Sequence, residues 1–343
     1  MEMVKDCPLV TIICITYQHA KFIEQALEGI LCQVTDFPIE IIVHDDASTD
    51  GTVTILKRYA AAYPKIISLV LEEKNLFSKG INLWMHKVFP LIRGKYVCFC
   101  EGDDYWTDKF KIQKQVKLLE KNKDASLCFS KVLVHWEDQS KEDFIFPKDS
   151  FRFNKTILEF QDIAKRNFIQ TNSVMYRWAL SKKEDITSFP VDILPADWYI
   201  HLLHAKCGKI YFQDEVTGVY RRHNSGLWAG GLGDPGWLRR CGPPHIKFYK
   251  EIETRFNISK EEEIRDLFYR CYRLAKQAND HTMLELLQKI VGEKKFRELV
   301  AGAAKARFVA IGKYISSLLF SLLCFGETKK KLKIISDRYK IFI

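Results

Sequence analysis

The sequence has no CxxC pair among its ten cysteines. Cys7, Cys14, Cys32, Cys98, Cys100, Cys128, Cys207, Cys241, Cys271 and Cys324 are scattered, several of them inside apolar runs. That argues against a zinc cluster or a dithiol redox motif and for small buried hydrophobes. There is no collagen-like or low-complexity tract and no internal repeat, which excludes fibrous and solenoid architectures. No Walker A sequence and no HExxH appears. Gly231-Leu-Gly-Asp-Pro-Gly236 formally fits GxGxxG, but it contains Pro235, follows no clear buried strand and opens no evident helix, so it fails the context a dinucleotide loop requires. Met1 to Pro8 is polar and runs straight into a strand-like stretch, so no signal peptide is expected and the reduced, cytosolic compartment is.

What is present is a globular composition. The 343 residues suit one large domain or two ordinary ones, and 47% hydrophobic with 28% charged residues gives ample core-forming material. The net charge of +10 is unevenly placed. From Arg239 to the end there are 23 Lys+Arg against 12 Asp+Glu, whereas the rest is close to neutral. Such an excess is either a set of solvated helix faces or an attraction to an anionic surface. Tyr314 to Phe325 is twelve uncharged residues, too short for the roughly 20 that span a bilayer. At helical spacing Ile311, Ile315, Leu318, Leu319, Leu322 and Leu323 share one face, followed by Lys329, Lys330, Lys331 and Lys333. A helix over 308–326 is therefore expected to lie on an anionic leaflet, to pack as a terminal helix, or to form an oligomer contact. No nucleic-acid partner is expected.

The first half alternates strands and helices. Val10–Ile15, Ile39–Val43, Ile66–Leu71 and Tyr96–Cys100 are apolar runs of strand length, as buried parallel strands require. Between them, Phe22, Ile23, Ala26, Leu27, Ile30 and Leu31 repeat at helical spacing, as do Val53, Leu56 and Tyr59 after the capping candidates Ser48, Thr49 and Asp50. This predicts an α/β fold with a mostly parallel sheet flanked by helices and an α-helical C-terminal extension. The stretch Gly230–His245, rich in Gly and Pro, reads as the boundary between a domain over 1–230 and a basic helical region over 231–343.

Ligands of such sheets gather beyond the carboxyl ends of the strands. Two acidic clusters fall there: Asp45-Asp46 after the second strand and Glu101-Gly102-Asp103-Asp104 after the fourth. One such pair is usually a solvated turn or helix cap. Two on one rim point to a hard divalent cation, Mn²⁺ or Mg²⁺, completed by substrate phosphate oxygens. A further carboxylate, Asp197, precedes the helical stretch Trp198–Ala205 and is either a cap or a partly desolvated base.

Three segments carry a resemblance: Pro8–Tyr17 (PLVTIICITY), Val43–Thr52 (VHDDASTDGT) and Arg93–Trp106 (RGKYVCFCEGDDYW). Their order and spacing resemble a family 2 glycosyltransferase of the GT-A (Rossmann-like) fold over roughly Pro8–Gly230, about two-thirds of the chain. The resemblance implies inverting sugar transfer from a nucleotide-sugar, of the UDP type, with a divalent metal. Thr16 and Tyr17 then match the nucleotide pocket at the end of the first strand, and Asp45 and Asp46 the pair that meets base and ribose. Gly80 matches the donor loop, with Asn75 and Asn82 beside it. Asp103 matches the metal-binding acid of the DxD motif, with Asp104 next to it and Glu101 standing where Asp is commoner. Asp197 matches the catalytic base, although Ala196 replaces the usual acid before it. Arg221 and Arg222 are expected to meet the diphosphate and His223 to ligate the metal, while Thr171, Asn172 and Ser173 fall where the pocket is lined. The acceptor implied is a saccharide, lipid-linked in view of the basic tail, as in surface polysaccharide, lipopolysaccharide or capsule synthesis. The enzyme would then be peripheral on the inner face of the cell membrane. The rival readings are a sugar nucleotidyltransferase, which lacks the needed Gly-rich basic loop here, and a non-catalytic nucleotide-sugar-binding or docking module.

Overall fold

The computed structural model describes residues 7–77, 84–148, 156–180, 187–229 and 231–302. Gly80, Asn82 and the helix expected over 308–326 lie outside the described residues. The chain opens with the expected alternation: β1 (Val10–Thr16), α1 (Ile23–Leu31), β2 (Ile39–Asp45), α2 (Thr52–Ala62) and β3 (Ile67–Leu71). Then come α3 (Trp84–Val88), β4 (Tyr96–Phe99), β5 (Tyr105–Trp106), α4 (Lys111–Lys121), β6 (Ala125–Trp136), β7 (Phe144–Phe146) and β8 (Ile157–Leu158). After α5 (Phe160–Lys165) and β9 (Val174–Arg177) follow α6 (Ala196–Ala205), β10 (Lys209–Arg222), α7 (Pro235–Phe256), α8 (Glu261–Gln277) and α9 (His281–Val291).

The strands form one ten-stranded sheet in the order β3-β2-β1-β4-β9-β6-β10-β5, with β7 on β6 and β8 on β10. The β3-β2-β1-β4 half is parallel throughout. β9 then enters antiparallel to both β4 and β6, while β10 runs parallel to β6. Alternating side chains of one strand feed two cores. Ile12 and Cys14 of β1 pack with Ile23, Leu27 and Ile30 of α1 and Ile112 of α4. Ile13 faces the other way, with Phe99, Phe129, Tyr176, Trp198 and Phe248. This is the period-2 rule of a strand buried on both faces. None of the nine described cysteines forms a disulfide with another described residue. Burial pushes the Cys14, Cys98, Cys100 and Cys128 thiols up, as inert core residues require.

One expectation needs correction: the GxGxxG match was expected to open no helix, yet α7 begins at its Pro235 and runs through Pro243 and Pro244. Pro235 takes the first turn and the Asp234 carboxylate accepts from Trp237 N at 2.6 Å, a capped start. The Pro244 carbonyl accepts from Leu194 N, and the buried Trp237, Ile246 and Phe248 anchor the helix despite the backbone bonds that proline removes. A helix thus does open after the GxGxxG match, but an aspartate rather than a phosphate occupies its N-terminus. By its internal contacts the chain divides into Met1–Lys260 and Glu261–Ile343, with α7 in the first unit. In the second unit α8 and α9 pack through Leu267, Phe268, Cys271, Met283 and Leu287. Among the described residues no helix is long and apolar enough to cross a membrane.

Candidate active site

Because β1, β2 and β4 are parallel neighbours, their carboxyl ends share one rim. A cleft of about 1170 Å³ opens over that rim and extends toward α6 and α7. Thr16, Tyr17, Asp46, Glu101, Asp103, Asp104, Asp197, Arg221, Arg222 and His223 all line it. Thr16 is buried with its hydroxyl unpartnered, and Tyr17 is exposed at the mouth. The two acids of β2 part company. Asp45 is fully buried and turned into its own loop, accepting from Ser48 N at 2.8 Å and Ser48 Oγ at 2.5 Å. Asp46 lines the cleft and holds the following segment, accepting from Leu76 N at 2.8 Å and Phe77 N at 3.1 Å.

The β4 loop is held against β1. Gly102 N donates to the Ile15 carbonyl at 2.9 Å. A Cβ on Gly102 would stand 2.8 Å from Thr16 Oγ1 and 2.9 Å from His19 Nδ1, so only glycine permits this approach. The loop carries Asp103 to two imidazoles. Its Oδ2 lies 3.0 Å from His223 Nε2 and 3.6 Å from His19 Nε2. One ligand atom from each of His19, Asp103 and His223 lies within 4.8 Å of the others. His223 is braced by Ser225 Oγ at 2.8 Å from its Nδ1. Burial would raise the Asp103 pKa, but the nearby His19 and the bond to His223 outweigh it, and the carboxyl ionises below its ordinary range. Burial in turn lowers the His19 pKa. The contact therefore joins a carboxylate to a neutral imidazole, the protonation states metal ligands need.

Glu101 supplies the test of fit. Its Oε2 is buried without a hydrogen-bond partner among the described residues. Burial first, then the Asp103 charge, pushes its carboxyl up to about 8. A site with one ionised acid, a second acid awaiting compensating charge and two imidazoles fits a divalent cation. Asp104 stands outside the three-residue cluster. It is buried, accepts from Arg221 N at 2.9 Å, and is pushed well above the carboxylate range by burial and then by Asp103 and Glu101.

The arginines also differ. Arg221 is a brace: Nε donates to the Asp103 carbonyl at 2.9 Å, Nη2 to Gln25 at 2.6 Å and Nη1 to Glu137. Its guanidinium lies 4.6 Å from the Phe22 ring centre and 5.1 Å from that of Tyr105. Arg222 reaches the cleft with bonds only to Tyr220 Oη and the Trp228 carbonyl among the described side-chain contacts.

Asp197 sits in the first turn of α6, which starts at Ala196 behind Pro195, and it is not the N-cap. Its Oδ2 accepts from Thr171 Oγ1 at 3.1 Å, and burial raises its pKa. Of the three neighbours Thr171, Asn172 and Ser173, only Thr171 lines the cleft. Asn172 Nδ2 donates to the Val219 carbonyl, and the Asn172 carbonyl accepts from Trp106 Nε1. His19 was not singled out from sequence. The signal was there: it lies three residues past β1, and β1 pairs directly with β4.

A parallel β3-β2-β1-β4 array with carboxylates at its rim and a mixed second half defines the GT-A class of architecture. A mannosyltransferase from Pyrobaculum calidifontis, solved with GDP-Man and Mn²⁺, shares the fold with a TM-score of 0.52 at 19% identity, covering 90% of this chain and 80% of that one. The sequence pattern of glycosyl transferase family 2 matches residues 11–182, and the chain belongs to that family. It is 41% identical over 224 residues to an uncharacterized Mycobacterium tuberculosis protein, covering 65% of this chain and 62% of that relative's length. It is 25% identical over 258 residues to the dTDP-rhamnosyl transferase RfbG of Shigella flexneri, covering 70% and 82%.

Proposed function

We propose that the chain is an inverting glycosyltransferase that moves a sugar from a nucleotide-sugar of the UDP type to a hydroxyl of a saccharide acceptor. The observation that carries this reading is one cleft holding both the His19–Asp103–His223 cluster and a second, separate carboxylate at Asp197. The nucleotide would lie over the ends of β1 and β2, against Thr16, Tyr17 and Asp46, with Asp45 holding the loop beneath. Glu101 and Arg222 face the ribose and diphosphate, while Arg221 and Asp104 keep the acid loop in place. Asp103, His19 and His223 would hold Mn²⁺ or Mg²⁺, which when bound supplies a Lewis acid that offsets charge on a departing diphosphate.

Asp197 takes the proton of the acceptor hydroxyl, with Thr171 orienting its carboxylate. The hydroxyl oxygen bonds to the anomeric carbon from the face opposite the leaving group. The bond from that carbon to the phosphate oxygen breaks, and its electron pair leaves with the nucleoside diphosphate. A single displacement inverts the configuration. A desolvated carboxylate with a raised pKa suits proton acceptance near neutral pH better than an ordinary one.

RfbG is named for a dTDP-linked donor and the Pyrobaculum enzyme was solved with GDP-Man, so the first experiment screens donors of all three nucleotide types. Purified protein with Mn²⁺ is tested by thermal shift and by released nucleoside diphosphate. One donor giving both a metal-dependent shift and release is the expected result. Silence from a folded protein across the panel overturns the reading in favour of a non-catalytic module. The excess of Lys and Arg from Arg239 onward supports an acceptor at a membrane surface, lipid-linked and destined for surface polysaccharide. Truncation after Arg307 should then release the protein from anionic vesicles, and unchanged binding refutes that part.

A further inference from the structure

The end of the cleft at α7 has a construction that the donor reading does not use. His245 is 9% exposed and lines the cleft. Neither of its ring nitrogens has a hydrogen-bond partner among the described residues. The ring is boxed by aromatics, with centres at 4.9 Å for Tyr249, 5.8 Å for Phe248, 5.9 Å for Trp237 and 6.3 Å for Trp228. Burial pushes the imidazole down to about 4, so it is neutral at working pH, with one N–H donor and one acceptor nitrogen. An unpaired buried polar group costs free energy, and a ligand aimed at it recovers that cost. A neutral ring offers an anion no charge, whereas an uncharged hydroxyl can both donate to its bare nitrogen and accept from its N–H. Trp228 and Tyr249 also line the cleft and offer flat apolar faces beside it. Vicinal hydroxyls that both donate and accept, on a ring with C–H faces, are the chemistry of a pyranose.

We propose that the α7 end of the cleft is the subsite for a neutral pyranose ring of the acceptor, with His245 its hydroxyl-binding, specificity-determining residue. The proposal rests on the glycosyl-transfer reading above and names its acceptor side. It places that specificity on a helix beyond residues 11–182, outside the segment matched to the family pattern.

The test is saturation-transfer NMR with full-length protein, diamagnetic Mg²⁺, one of UDP, dTDP or GDP, and a panel of p-nitrophenyl glycosides. Wild-type protein should transfer saturation to pyranose ring protons of at least one glycoside. His245→Phe keeps an aromatic ring and removes both unpaired nitrogens, so its melting temperature should not fall. Its glycoside affinity should drop about tenfold, and His245→Asn, which restores a donor and an acceptor, should recover part of the loss. The nucleotide signal in the same tube reports the donor half separately. Equal glycoside binding by wild type and His245→Phe overturns the subsite alone. So does its absence from a wild type that binds a nucleoside diphosphate. A folded protein that binds none of the three nucleotides overturns the donor reading beneath it.

Discussion

Replacing Asp197 by Asn separates chemistry from architecture more cleanly than any other change in this protein. The amide is nearly isosteric and its oxygen can still accept from Thr171 Oγ1, now at 3.1 Å from Oδ2. The fold should therefore survive. Removing the proposed general base should lower transfer by about 10²–10⁴-fold, with donor affinity unchanged by calorimetry. Stability should move the other way. Burial raises the folded pKa of Asp197 above the ordinary 3.8. In the window above 3.8 the folded state then binds more protons than the unfolded state, so wild-type stability declines as pH rises through it. Above the folded pKa the full penalty of burying a carboxylate is present. Asn lacks that penalty, so the variant should unfold at higher urea than wild type at pH 8, and the gap should shrink toward pH 4. Turnover within about tenfold of wild type would exclude Asp197 as the base. A lower urea midpoint at pH 8 would show that burial does not strain the carboxylate.

Three further changes probe the rim. Asp103→Ala should abolish the Mn²⁺-dependent part of nucleotide binding, because it removes the one carboxylate of the three-residue cluster; titrations with and without metal that coincide with wild type would refute the assignment. Glu101→Gln should stabilise the metal-free protein at pH 7 by on the order of 3 kcal/mol. Its carboxyl, pushed up to about 8 by burial and then Asp103, is protonated when folded but ionised when unfolded, a mismatch that grows as pH rises from the ordinary 4.5. Urea midpoints at pH 4 and pH 7 measure this, and saturating Mn²⁺ should cancel the gain by favouring the ionised form. Arg221→Ala should cost about 2–3 kcal/mol, since its guanidinium bonds to Asp103, Gln25 and Glu137 and packs on Phe22 and Tyr105. A loss of donor affinity without loss of stability would instead make Arg221 a diphosphate ligand.

Much of the fold was legible because buried parallel strands leave a plain trace. Four apolar runs, each followed by polar turn residues, mark β1 to β4, and the observed strands begin and end within two residues of them. Carboxylates at the ends of two such runs must share a rim once the strands are parallel, so Asp46 and Asp103 were legible from order alone. The start of α7 was not. Gly and Pro signal a break only where nothing compensates, and here the Asp234 cap and the burial of Trp237 and Phe248 do.

Side-chain direction was beyond the sequence as well. Adjacent acids look alike in one dimension, yet Asp45 turns to Ser48 while Asp46 lines the cleft, and Asp103 meets two imidazoles while Asp104 receives the Arg221 amide. His223 was expected as a ligand, but neither its meeting with Asp103 nor the places of His19 and His245 could be read locally, because a histidine acquires its partners from distant segments. The linear pattern of apolar and acidic residues determined that this chain forms a parallel sheet with an acidic rim. Only tertiary packing decided which acids stay ionised, which arginine is spent as a brace and which imidazole is left unpaired. Those properties depend on burial and on neighbours as far as 196 residues away, as for Arg221 and Gln25, and neither is encoded at any single position.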